Sequence, residues 1–243
     1  MSGAPSRPAR ARAPALPAAP SAGDEIRIGV SSCLLGEEVR FDGGHKRDPF
    51  ITGTLAAFVT FVPVCPEVEI GLGTPRESIR LVRTAGGVRL VAPKSGADHT
   101  ARMTRYARRR AQELAALDLS GYLFKKDSPS CVVFRVRVHQ PGGMPARDGR
   151  GLFAAAMVAS QPLLPVEEEG RLHDPHLRDN FWERVFGFRR LARLFAGRWR
   201  TGGLVRFHTA GKLLLMAHHI ESYRALGRLV AGAARRSGRG DRR

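Results

Sequence analysis

The chain has three cysteines, Cys33, Cys65 and Cys131, separated by 32 and 66 residues. Thiolates are soft ligands that suit zinc and iron–sulfur clusters, and this spacing excludes compact CxxC ribbons and fingers, so the fold must build any shared site. A [4Fe–4S] cluster normally takes four thiolates. Three would leave one iron open to an outside ligand, which implies chemistry on a small molecule rather than electron carriage alone. The same three thiolates also allow a zinc ion with an open water position. The plain alternative is three unrelated buried thiols, since free cysteine is commonly buried. Placement argues against it: SSCLLG, VCPE and SPSC set each cysteine among Gly, Pro or Ser. Such residues make tight turns and leave N–H groups able to hydrogen-bond cluster sulfides.

Polar residues nearby extend the chemistry. Glu67 stands two after Cys65 and Ser128 three before Cys131. These are the candidate catalytic pair, the first to move a proton if burial tunes it, the second to donate to a substrate heteroatom. Asp42 and Lys46, with His45 between them, lie on the loop after Cys33, and Arg76 follows the second cysteine; Asp42, Lys46 and Arg76 are the candidate substrate-binding groups. Read singly, Glu67 and Arg76 make a surface ion pair and Asp42 a turn.

Three elements must position the thiols. Residues 26–30 (IRIGV), 58–64 (FVTFVPV) and 121–126 (GYLFKK) are strand-like runs, each followed by a cysteine within a few residues. A short helix over 51–58 and the clearest helix, 98–117, lie between them. The latter carries Met103, Ala107, Ala111, Leu114 and Leu117 on one face, with Asp98 or Thr100 as its cap. SIRLV and VRLV around TAGG read as a hairpin, 132–138 as a further strand or a continuation of the loop, 142–151 as a Gly/Pro loop and 152–159 as a short helix. In open α/β sheets, ligands gather beyond the carboxyl ends of parallel strands. If the three cysteine-bearing strands are parallel neighbours, the thiols converge. Beyond 160 only helical periodicity remains: 177–195, 204–218 and 221–234. The expected organisation is a disordered tail at 1–23, a cluster-binding α/β domain at 24–160, a linker at 161–171, a helical domain at 172–234 and a basic tail at 235–243.

Composition narrows the function classes. At 243 residues and 43% hydrophobic content the chain can bury a core without disulfides. No run approaches the ~20 apolar residues of a membrane span, and the Arg-bearing N-terminus lacks the apolar block of a signal peptide. An odd, small number of cysteines suits a reducing compartment, so a cytoplasmic protein without membrane partners is expected. The formal charge of +18 invites nucleic acid as a partner, and the chain stays basic when both Arg-rich tails are set aside. The runner-up reading is accordingly a nucleic-acid-binding protein with a structural cluster or zinc. The absence of interleaved aromatics makes nucleic acid the secondary partner, behind a small molecule.

CLLGEEVRFDGGHK (33–46), VCPEVEIGLGTPRE (64–77) and KDSPSC (126–131), in that order, resemble the bacterial thiouracil desulfurase family over about residues 26–160. The resemblance implies a Rossmann-like α/β domain holding a [4Fe–4S] cluster on Cys33, Cys65 and Cys131. It also implies a thiolated base or related thioamide as substrate, whose sulfur binds the open iron, with Glu67 and Ser128 moving protons in a formally hydrolytic desulfuration. Phe41 stands where such loops often have tyrosine. Residues 207–231 resemble a YbgA-like helical domain, here shortened, with Gly211 where a histidine is expected. His208, His218 and His219 in that stretch read as packing or surface residues.

Overall fold

The computed structural model describes residues 25–140, 142–197 and 199–240. The tail expected at 1–23 and residues 241–243 lie outside them. Eight strands and seven α-helices follow in order: β1 (Arg27–Ser31), β2 (Thr60–Val64), α1 (Pro66–Glu69), β3 (Arg80–Thr84), β4 (Gly87–Val91), α2 (Thr100–Ala115), β5 (Gly121–Phe124), β6 (Val136–Gln140), β7 (Gly143–Gly149), α3 (Leu152–Ser160), β8 (Val166–Glu168), α4 (Pro175–Ala196), α5 (Thr201–Ala210), α6 (Lys212–His218) and α7 (Ile220–Gly240). The chain is a Rossmann-like α/β fold with a helical C-terminal part.

The first sheet is wholly parallel, in the order β2-β1-β5-β8. The chain passes from β1 outward to β2 and then returns across β1 to β5, so the crevice above β1 is a topological switch point. All four residues of β5 are buried, as a strand covered on both faces requires. Alternation sorts the side chains: Tyr122 and Phe124 join Met103 of α2 and Phe153 of α3 on one face, while Ile28, Val30 and Leu123 join Phe181 and Val185 of α4 on the other. Gly29 makes room for the Tyr122 ring, since a Cβ there would stand 2.2 Å from Tyr122 Cδ2. The second sheet, β4-β3-β6-β7, contains the expected hairpin as β3 and β4 and attaches β6 parallel to β3. Among the described residues, no helix is long and apolar enough to cross a membrane.

Five local expectations differ from the structure. Residues 142–151 contain β7, an edge strand that tolerates Pro145, and Gly149 lets its backbone approach Val138. Residues 161–171 contain β8, whose two glutamates, with Glu169 just past the strand, resemble a linker until their partners are seen. The 204–218 helix breaks at Gly211 into α5 and α6. Residues 235–240 continue α7. The strand expected over 132–138 starts at Val136, because Arg135 has φ of 42° and interrupts extended backbone.

Candidate active site

Each cysteine is placed by the end of a strand. Cys33 lies in the 3₁₀ turn Ser32–Leu35 that follows β1, where its carbonyl accepts the Lys46 N–H at 2.9 Å and so anchors the long loop over the sheet edge. Cys65 follows β2 directly and caps α1, with Pro66 at the first helical position. Its N–H donates to Glu69 Oε1 at 3.2 Å, and Glu69 is held in turn by the Tyr106 hydroxyl at 2.8 Å. Cys131 sits seven residues beyond β5, in a loop bracketed by two non-glycine residues in the left-handed region, Asp127 and Arg135. The Ser128 hydroxyl oxygen accepts the N–H groups of Ser130 and Cys131 at 3.3 and 3.2 Å, which shapes the turn carrying the thiol. Gly151 closes it from outside, its N–H donating to Val132 O at 2.8 Å.

All three thiols line one cavity of about 590 Å³ above the switch point. None is in a disulfide, and Cys33 and Cys131 are buried. Burial pushes the Cys33 thiol up to about 11 against the pull of the Lys125 ammonium. It raises Cys65 and Cys131 as well, with the Glu67 charge adding to both. Such thiols stay neutral unless a metal cation takes the place of their protons. Among the described residues, no three Cys, His, Asp or Glu side chains gather closely enough to share a single metal ion. Zinc needs every thiolate about 2.3 Å from one point, whereas cluster thiolates bind separate irons and stand farther apart. The three free thiols around this cavity are a soft donor set of the kind that holds zinc or an iron–sulfur cluster.

The polar groups are equally ordered. Glu67 Oε1 accepts hydrogen bonds from the hydroxyls of Ser128 at 3.2 Å and Ser130 at 3.1 Å, and Oε2 pairs with the guanidinium of Arg76. This pair is not the surface contact a bland reading gives. The Arg76 and Glu67 side chains are only 5% and 13% exposed, and Arg76 is fixed further by Val39 O and Gly73 O, each at 2.9 Å. Glu67, Ser128, Arg76 and Lys46 thus share the cavity with the thiols. Asp42 is not among its lining residues: it pairs with Arg40 and accepts the Gly44 N–H at 3.1 Å, a turn-former's role. His45 is exposed, its Nδ1 accepting the Arg47 N–H.

Several lining residues escape sequence reasoning. Lys125 immediately precedes the KDSPSC segment and pairs at 2.5 Å with Glu169, from the stretch read as linker. Asp48, beneath the loop after Cys33, pairs with His173 at 3.2 Å. Ser31, also on the lining, accepts the Lys125 N–H at 3.0 Å, and Ser130, buried behind it, donates its hydroxyl to Glu67. The neighbours of the cysteines in sequence point to Lys125, Ser31 and Ser130; nothing local points to Glu169.

With this geometry in hand, comparison with known proteins gives three matches. A model of the 2-thiouracil desulfurase family matches residues 28–169. The uncharacterized protein YbbK of Bacillus subtilis (strain 168) is 32% identical over 107 residues, which is 42% of this chain and 70% of YbbK. The solved structure of a [4Fe-4S]-dependent thiouracil desulfidase, TudS, superposes with a TM-score of 0.53 at 30% identity, covering 65% of this chain and 99% of TudS.

Proposed function

The chain belongs to the 2-thiouracil desulfurase family, and from that premise we propose that it removes sulfur from a thiolated nucleobase such as 2-thiouracil, replacing it with oxygen from water. The observation that carries this reading is the convergence of three free thiols with a serine-bound, arginine-paired carboxylate in one cavity. Cys33, Cys65 and Cys131 would hold a [4Fe–4S] cluster, which supplies, when bound, an open iron able to act as a Lewis acid toward the substrate's sulfur.

The chain's own residues supply the proton chemistry. Glu67 accepts a proton from the water that attacks the thiocarbonyl carbon. Its carboxylate has a fixed place for that work, because Arg76 holds one oxygen while Ser128 and Ser130 hold the other. The serine hydroxyls can then pass a proton onward by turning their own hydrogens. Lys46 stands at the exposed rim, where a cation draws a polar base inward.

The test is anaerobic purification with iron and sulfide analysis, followed by turnover of 2-thiouracil. About four irons with matching sulfide per chain are expected, with uracil and sulfide released in equal amounts. The Cys65→Ala variant should lose both iron and turnover. Absence of iron after reconstitution, or undiminished turnover in Cys65→Ala, overturns the reading.

A further inference from the structure

We propose that Lys125, held by the buried carboxylate of Glu169, is a substrate-contacting group of this cavity that carries the negative charge gathering on sulfur as the carbon–sulfur bond breaks. The proposal rests on the desulfurase reading and adds to it a cation that the Cys, Glu and Ser residues do not provide.

An ammonium has three N–H donors. One goes to Glu169 Oε1 at 2.5 Å and one to Lys126 O at 3.0 Å. The third has no partner among the described residues, on a side chain that is 12% exposed and lines the cavity. Glu169 is itself pinned, since its Oε2 accepts the Lys126 N–H at 2.7 Å. The lysine's backbone is pinned too, through Ser31. The ammonium is therefore set in place with one donor unspent.

A purely structural role explains the pair poorly. β8 is already tied to β5 by the pairs Tyr122↔Val166, Leu123↔Glu167 and Phe124↔Glu168. A buried ion pair adds little stability over apolar side chains of the same volume, because desolvation cancels the attraction. Its position is what distinguishes it. Glu67 enters the cavity from α1, just after β2, whereas Lys125 enters it directly after β5, and β1 lies between those two strands. Base and cation thus reach the cavity from opposite sides of β1.

The reaction needs both. The oxygen of water forms the new bond to carbon, the carbon–sulfur bond breaks with its electron pair on sulfur, and both protons of water end on sulfur as hydrogen sulfide. No electron is gained or lost, and water is the only co-reactant. Glu67 takes the first proton; until protons reach it, the sulfur is an anion that a fixed ammonium stabilises.

The experiment uses cluster-loaded protein and three readouts: iron per chain, steady-state turnover of 2-thiouracil, and the affinity for hydrosulfide read from the visible spectrum during titration with sodium hydrosulfide. Lys125→Met should keep its iron, bind hydrosulfide roughly 10- to 100-fold more weakly and lose kcat by a similar factor, the range expected for one charge-assisted hydrogen bond. KM should change by less than about threefold, since the charge develops after binding. Lys125→Arg should recover most of both losses. Glu169→Gln, which keeps the lysine and removes the charge offsetting it, should tighten hydrosulfide binding, opposite in sign to Lys125→Met. Unchanged hydrosulfide affinity and kcat in Lys125→Met, loss of its iron, or weakening in Glu169→Gln each overturns the proposal. If Lys125→Met fails to fold, the sign of the Glu169→Gln effect decides. If the wild type turns over no thiobase, the desulfurase reading fails, while the hydrosulfide arm still decides Lys125 by the same signs.

Discussion

Replacing Glu67 with glutamine removes a charge and a proton acceptor while keeping the side chain's shape, so its effects on stability and on chemistry can be separated. The wild-type carboxylate accepts two serine hydroxyls and the guanidinium of Arg76. Glutamine still offers one oxygen to Arg76, and its amide N–H groups can donate to the serines, whose hydroxyls reverse their sense. What disappears is charge assistance: hydrogen bonds to charged groups contribute about 1.5–3 kcal/mol against about 0.5–1.5 for neutral ones. Glu67→Gln should therefore lose about 1–2 kcal/mol by urea unfolding. Glu67→Ala should lose more, about 3–5 kcal/mol, because it strands the Arg76 cation at 5% exposure. Activity should order differently. Both variants lose the proton acceptor, so kcat for 2-thiouracil should fall about 10²- to 10⁴-fold in each, with iron content unchanged. Wild-type turnover in Glu67→Gln would remove Glu67 from the proton path. Equal stability of Glu67→Ala and wild type would show that the buried pair contributes nothing.

Two further substitutions address how the fold supports the site. Gly151→Ala places a Cβ 2.4 Å from Ser130 O and 2.8 Å from Cys131 N. It should destabilise by about 1–3 kcal/mol and lower iron per chain by displacing Cys131; an unchanged urea midpoint and iron content would refute this. Asp98 accepts the Thr100 N–H at 2.8 Å at the start of α2, and that hydroxyl and N–H, with the Arg89 charge, hold its carboxyl below the ordinary 3.8. A lowered folded value means stability present above pH 3.8 and lost as pH falls through the folded value. Asp98→Ala should accordingly cost about 0.5–2 kcal/mol at pH 7 and progressively less in acid, read from urea midpoints across pH; a constant gap would refute the assignment.

The parts of the fold that were legible are those whose signal is local. β1, β2 and β5 are short apolar runs, and α2 shows its buried face at Met103, Ala107, Ala111 and Leu114. Leu117, expected on the same face, falls past the helix end and is exposed. The cysteines and Glu67, Ser128 and Arg76 could be chosen because the chemistry-bearing residues lie within a few positions of strand ends. Asp42 could not be settled that way, since an aspartate before Gly-Gly suits a turn as well as a pocket, and its partners, Arg40 and the Gly44 N–H, show the turn. What stayed hidden was β8. Three consecutive glutamates carry no apolar pattern, and two of them find their partners far away in sequence, Glu168 at Val133 and Phe134 and Glu169 at Lys125.

Those three glutamates also show how register, rather than residue type, assigns the roles in this site. In β8, Glu167 lies opposite Leu123 and Glu168 opposite Phe124, so the two face opposite sides of the sheet. Glu167 pairs with Arg171 at 2.6 Å. Glu168 accepts the N–H groups of Val133 and Phe134 at 2.9 and 2.8 Å, fixing the segment just after Cys131. Glu169, one step past the strand, reaches Lys125 in the cavity. A slip of β8 by one residue would leave the composition of the stretch unchanged, yet turn every one of these carboxylates to the wrong side. The apolar neighbours resist that slip: Leu164 is buried in the α2–α3 core and Leu172 beside Phe181, one on each side of the acidic run. The charge pattern around the thiols is thus set by the packing of two leucines outside the cavity.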